Sequence, residues 1–200
     1  MLFATNRSIL TKLLFVLVAV TSQFSPHNNG GLVVVMAAMD CASLTCVPDS
    51  GVGYMTYKYG PSFVTSDGYE NQVGDLYLPS VPITTPAVPI VVLIHGGYWY
   101  DQYRRKTTNG SDMRPLAVDL QSRGYAVVNL EYRRASDAYT NGIGRIPGTV
   151  NDISDGIDAL SCQTELQTLC GYSDTINLDT DKVVVIGHSA GGHLGTFKLY

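Results

Sequence analysis

The chain has 200 residues, 45% hydrophobic and 15% charged, with a net charge of −4 from 13 Lys+Arg and 17 Asp+Glu. That suits one ordinary domain with a sizeable core rather than a disordered tail, and the acidic balance argues against nucleic acid or an anionic membrane surface as the main partner. Four Cys are too few for a small disulfide scaffold, and no apolar stretch reaches the ~18 residues that argue for a membrane span.

The first elements in the chain are targeting signals. Arg7 and Lys12 precede an apolar run from Leu13 to Val20, and Ala19-Val20-Thr21-Ser22 offers small residues for cleavage. A basic start, a short apolar run and a small-residue exit form the secretory pattern. The run is short for a membrane anchor, and two basic residues are few for a mitochondrial presequence. A second apolar patch, Leu32 to Met39, leaves the cleavage site open, with Ala37-Ala38 as the later choice. The expected organisation is a signal peptide and leader over 1–38, a domain over 39–200, and a secreted product.

The cysteines agree with export. Cys41 lies near Cys46, and Cys162 near Cys170, without C-x-x-C spacing, so zinc and thioredoxin chemistry are weakly supported. In an oxidising compartment two local disulfides are the favoured pairing among three connectivities. Four free thiols in a cytosolic protein are the other reading. Asn109-Gly110-Ser111 is a glycosylation sequon, which matters only in a secreted chain.

Further along, strand and helix signals alternate. Tyr54 to Tyr59 and Gln72 to Leu78 read as short alternating strands. Pro79 to Pro89 holds four prolines and reads as a connection. Ile90 to Ile94 is a continuous apolar run, as in a strand buried on both faces of a parallel sheet. Arg114 to Arg123 forms a helix with Leu116, Ala117 and Leu120 on one side and Gly124 as its stop. Tyr125 to Tyr132 is the next strand. Val150, Ile153, Ile157 and Leu160 recur at helical spacing, which predicts an amphipathic helix over Thr149 to Leu160. Lys182 to Ile186 is another buried strand, and His193 to Tyr200 reads as helix. This alternation predicts an α/β fold with a mostly parallel sheet flanked by helices. No internal repeat or low-complexity segment interrupts it.

Two motifs carry chemistry. Gly187-His188-Ser189-Ala190-Gly191 fits G-x-S-x-G where a buried strand meets a helix. The turn must be tight enough to push a Ser hydroxyl out at the carboxyl end of the sheet, and the flanking glycines leave room for crossing backbone. The second motif, His95-Gly96-Gly97-Tyr98-Trp99, follows strand Ile90 to Ile94. Glycines there let backbone N–H groups face a developing oxyanion, each worth roughly 2.7–4 kcal/mol in the transition state. The partner donor is the N–H of Ala190, the residue after the nucleophile. Each motif also has a plain structural reading, a capped strand-to-helix turn or a glycine turn. The pair, each at a strand end and in this order, favours the chemical one.

These motifs, with Asn129-Leu130-Glu131-Tyr132-Arg133-Arg134, resemble the α/β-hydrolase superfamily over roughly residues 55 to 200. The resemblance is closest to the esterase/lipase branch of hormone-sensitive-lipase-type carboxylesterases, BD-FAE-like (bacterial feruloyl esterase) proteins and kynurenine formamidases. It implies Ser189 as nucleophile and Gly96, Gly97 and Ala190 as oxyanion donors.

The departure from that pattern lies at the end. In this fold the triad runs Ser, then Asp or Glu, then His along the chain. Only eleven residues follow Ser189, with no acid and with His193 as their one histidine. His193 sits in the helix leading away from the sheet. His188 should point to the other side of the turn, His95 braces the oxyanion loop, and His27 lies in or near the leader. None is a convincing general base. The chain therefore reads as the N-terminal part of a hydrolase, ending inside the helix after the nucleophile. That ending leaves the edge of the Lys182 to Ile186 strand without its usual neighbours.

Other residues are weighed against plainer roles. Tyr98, Trp99, Tyr100 and Tyr103 can wall an acyl pocket or simply pack, and Tyr98 and Trp99 are the candidates for substrate contact. Asp152 and Asp155 mimic a carboxylate pair but read better as a solvated helix face. Arg133 and Arg134 read as scaffold braces rather than an anion site. No H-E-x-x-H, P-loop or G-x-G-x-x-G is present, so neither a metal nor a nucleotide cofactor is expected. The expectation is a serine hydrolase of small carboxylic esters, with its base and acid beyond residue 200. An N-formyl amide hydrolase is the alternative among enzymes, and a non-catalytic binding protein or inactive fragment is the alternative outside them.

Overall fold

The computed structural model describes residues 15–20, 40–47, 53–61, 70–79, 87–100, 102–106, 111–134, 146–172 and 176–197; for 15–20 it gives the strand alone. The strands are β1 (Phe15–Val20), β2 (Thr45–Val47), β3 (Met55–Lys58), β4 (Val73–Tyr77), β5 (Val88–Ile94), β6 (Ala126–Leu130) and β7 (Leu178–His188). The helices are α1 (Arg114–Ser122), α2 (Gly148–Asp158), α3 (Gln163–Cys170) and α4 (Ala190–Phe197). One seven-stranded sheet has the order β1-β7-β5-β6-β4-β3-β2.

β5 explains the centre of the sheet. It pairs in parallel with β6 and β7 on its two sides. Its side chains divide between two cores, as the period of two requires. Ile90, Val92 and Ile94 join the larger cluster, with Ile153 of α2, Leu166 of α3 and Leu194 of α4. Val91 and Leu93 join the smaller one, with Met113 at the start of α1 and Ala117 within it. Helices therefore cover both faces, and a strand buried on both sides reads as a continuous apolar run. β4, β3 and β2 extend the sheet as an antiparallel wing.

Most predicted elements are present with edges shifted by a few residues. β2 and α3 were not anticipated. α4 begins at Ala190, directly after Ser189, rather than at His193.

Two expectations change here. The outer edge of β7 is not bare: β1 pairs with it antiparallel, Phe15 opposite His188 through Val20 opposite Val183. The apolar run read as a leader is thus also an edge strand of the sheet. The local disulfide pairing is replaced by two long-range bonds, Cys41–Cys162 and Cys46–Cys170. Both stitch the segment holding β2 to the start and end of α3. The physical reason is that α3 lies against β2 and β3, so each cysteine of the first pair faces one of the second rather than its sequence neighbour. Asn109 of the sequon lies outside the described residues.

Candidate active site

Ser189 sits between the last residue of β7 and the first of α4 with φ of 53°. That left-handed backbone is costly for a residue with a Cβ and persists only where surrounding structure imposes it. The imposing contacts are visible on both sides. A methyl on Gly187 would lie 2.3 Å from the Gly191 carbonyl oxygen, and one on Gly191 would lie 2.2 Å from that of Ile94. The turn closes only because both positions lack a side chain. As the first residue of α4, Ala190 has an N–H without an intrahelical acceptor.

The loop after β5 meets this turn. A methyl on Gly96 would lie 2.6 Å from the His188 carbonyl oxygen and 3.1 Å from Ser189 Cβ. Gly97 has φ of 118°, and a methyl there would collide with Tyr103 Cβ at 2.1 Å. Tyr98 and Trp99 continue the left-handed backbone, at φ of 53° and 59°. The structure thus brings Gly96 beside Ser189, which Ala190 follows in the chain, with Gly97 next along the same loop. It separates the two aromatic candidates. Tyr98 stands 71% exposed and stacks on Tyr100 at 6.4 Å, whereas Trp99 packs against the larger core and meets His193 edge-on at 5.8 Å.

His95 and His193 fall where the sequence reading puts them, but the His188 ring lies over the oxyanion-loop glycine rather than on the far side of the turn. His193 is exposed, edge-on to Phe197, with its backbone N–H donating to Ser189 O at 3.2 Å. His188 places a buried Nδ1 without a hydrogen-bond partner over Gly96. His95 is fully buried, with Nδ1 2.8 Å from Gly96 O and Nε2 3.0 Å from Glu131 Oε1. His27 lies outside the described residues.

Beneath the loop is a buried ionic network that sequence reading did not anticipate. Glu131 accepts from Arg134, from His95, and through Oε2 from the Arg105 backbone N–H at 2.9 Å. Arg105 also grips Asp75, with Nε at 2.9 Å and Nη2 at 3.2 Å. Burial opposes ionisation of Glu131, but Arg134, His95 and Arg105 together outweigh it and hold its carboxyl well below the usual range. Burial, then the Glu131 charge, pushes the Tyr132 phenol up, so it remains a hydrogen-bond donor. The one hint in the sequence was that Glu131 falls inside the predicted strand Tyr125 to Tyr132, where a charge needs partners.

Asp152 is corrected by the same logic. It is fully buried, not a solvated face, and takes Arg133 through three short contacts of its guanidinium. Gln72 donates to it at 2.9 Å. The bracing role expected of Arg133 and Arg134 is what the structure shows. Cys41, Cys162 and Glu165 cluster closely, but both sulfurs are spent in a disulfide and offer no thiolate to a metal. Among the described residues, no helix is long and apolar enough to cross a membrane.

A strained Ser between a parallel strand and a helix, with a glycine loop from the neighbouring strand laid over it, defines an α/β-hydrolase fold of the esterase-like class. The chain belongs to the BD-FAE family, whose model matches residues 74–199. It is 31% identical over 123 residues to the non-reducing polyketide synthase atr1 of Stereocaulon alpinum, covering 61% of this chain and 4% of that one. It is 32% identical over 130 residues to the kynurenine formamidase of Danio rerio, covering 65% of this chain and 35% of that one. The esterase Est2 of Thermogutta terrifontis superposes with a TM-score of 0.47 at 21% identity, covering 74% of this chain and 44% of that one. The chain therefore spans less than half the length of each.

Proposed function

We propose that this protein is a serine hydrolase that cleaves carboxylic esters of small molecules through an acyl-enzyme on Ser189. The observation that carries this reading is the φ of 53° at Ser189 directly under Gly96. The hydroxyl attacks the ester carbonyl, and the N–H groups of Gly96, Gly97 and Ala190 receive the negative charge that develops on its oxygen. Each such donor contributes roughly 2.7–4 kcal/mol to the transition state. Trp99 and Tyr98, on the same loop, contact the substrate. Water then releases the acid.

In this reading neither His95 nor His193 is the general base. His95 is committed to Glu131, and His193 is turned to Trp99 and Phe197. A His and an Asp or Glu from sequence following Tyr200 complete the triad in this reading. The protein is exported, with a leader before about Ala38. Similarity to a kynurenine formamidase favours an N-formyl amide as the second substrate class to assay.

The test is labelling of the full-length protein by a fluorophosphonate probe, read by mass spectrometry. Modification at Ser189, abolished together with ester hydrolysis by Ser189→Ala, is the expected result. Modification at another serine, or full activity in Ser189→Ala, refutes the assignment.

A further inference from the structure

An oxyanion hole works only if its N–H groups are held in fixed directions before charge develops. Two of the proposed donors belong to consecutive peptide units, and each unit is gripped by its carbonyl end. The carbonyl of the His95–Gly96 peptide, His95 O, accepts from the Tyr132 hydroxyl at 2.8 Å. The carbonyl of the Gly96–Gly97 peptide, Gly96 O, faces His95 Nδ1 at 2.8 Å. In a trans peptide C=O and N–H point in opposite directions. Holding each oxygen therefore sets the direction of Gly96 N–H and of Gly97 N–H, away from Tyr132 and the His95 ring.

The His95 ring is itself fixed from two other sides. Nε2 lies 3.0 Å from Glu131 Oε1, and the Tyr132 ring stacks on the imidazole with centroids 4.4 Å apart. Each ring nitrogen faces an oxygen, so the ring is held at both ends. Glu131 also reaches the far end of the loop through the Arg105 N–H. One carboxylate thus holds the segment at residue 95 and again at residue 105. His95, Glu131 and Tyr132 are all 0% exposed, so none touches substrate.

We infer that Tyr132, His95 and Glu131 form a positioning unit that orients the two peptide planes of the oxyanion loop. Tyr132 sets Gly96 N–H, and His95, backed by Glu131, sets Gly97 N–H. The inference rests on the serine-hydrolase reading of Ser189. Stability alone does not account for the arrangement, because a buried ionic cluster is rarely more stabilising than apolar side chains of the same size.

The experiment uses the full-length protein and short activated esters. Tyr132→Phe deletes one hydroxyl and keeps the stacked ring. Its kcat falls about 10- to 100-fold with KM within about two-fold, because the donors act on the transition state. Affinity for an aryl boronic acid, whose tetrahedral adduct on Ser189 carries the oxyanion charge, falls by the same factor. Glu131→Gln shows the same pattern and serves as the second variant. A lower melting temperature with kcat and boronate affinity unchanged in either folded variant overturns the inference, since a purely structural role moves stability alone. Fluorophosphonate labelling of the wild type checks the underlying hydrolase reading separately, and its failure at Ser189 overturns both.

Discussion

Gly96 and Ser189 approach so closely that a methyl group on Gly96 would lie 3.1 Å from Ser189 Cβ. The contact joins the end of β5 to the start of α4. It exists because β5 and β7 are adjacent parallel strands, with Ile94 opposite Gly187. Parallel neighbours end on the same side of the sheet, so their following loops meet there.

Substitution at the glycines should separate chemistry from stability. Gly96→Ala pushes a methyl to 2.6 Å from the His188 carbonyl oxygen, and backbone cannot swing aside as a side chain does. The loop must shift instead, and kcat/KM for activated esters should fall about 10²-fold, the cost of a misplacement near 1 Å. Gly191→Ala meets the Ile94 and His95 carbonyl oxygens at 2.2 and 2.5 Å, inside the sheet-helix packing. It should lower stability by about 1–3 kcal/mol or more, read from urea unfolding.

Peptide mapping without reduction should find Cys41 joined to Cys162 and Cys46 to Cys170, with no Cys41–Cys46 peptide. The bonds span 121 and 124 residues, so the first to close removes chain entropy worth about 5 kcal/mol, and the second, which then closes a loop of roughly 15 residues, adds about 3 kcal/mol. Cys41→Ser with Cys162→Ser should therefore lower the unfolding midpoint clearly. The proposed export is checked by N-terminal sequencing of protein from the culture medium, which should read from about Ala38. A start at Met1 would instead keep Phe15–Val20 available as the edge strand beside β7.

Stability should depend on Glu131 in acid. Its folded carboxyl is held well below the usual range, whereas in the unfolded chain a glutamate titrates near pH 4.3. The folded state then binds fewer protons, so the contribution is fully present above about pH 4.3 and is lost as the pH falls below it. The stability advantage of wild type over Glu131→Gln should narrow between about pH 6 and about pH 3. A constant difference across that range would contradict the assignment.

The parts that depend on local pattern are legible in the chain before any tertiary contact is known. The apolar run of β5 marked the sheet's centre, and G-x-S-x-G between a strand and a helix located the strained Ser189. Gly96 and Gly97 were legible as a loop at a strand end, where a methyl would strike the His188 carbonyl at the first and Tyr103 at the second. Tertiary structure alone decided the pairings between distant segments. The cysteines join across more than a hundred residues, because α3 packs on the antiparallel wing and chain proximity of Cys41 to Cys46 says nothing of that. Asp152 looks like a surface acid on a helix, yet it is fully buried, as is Glu131. Their arginine partners Arg133, Arg134 and Arg105 come from the loops at one end of the sheet. Burying a charge requires such partners to converge in three dimensions, and convergence leaves no period in the sequence to read.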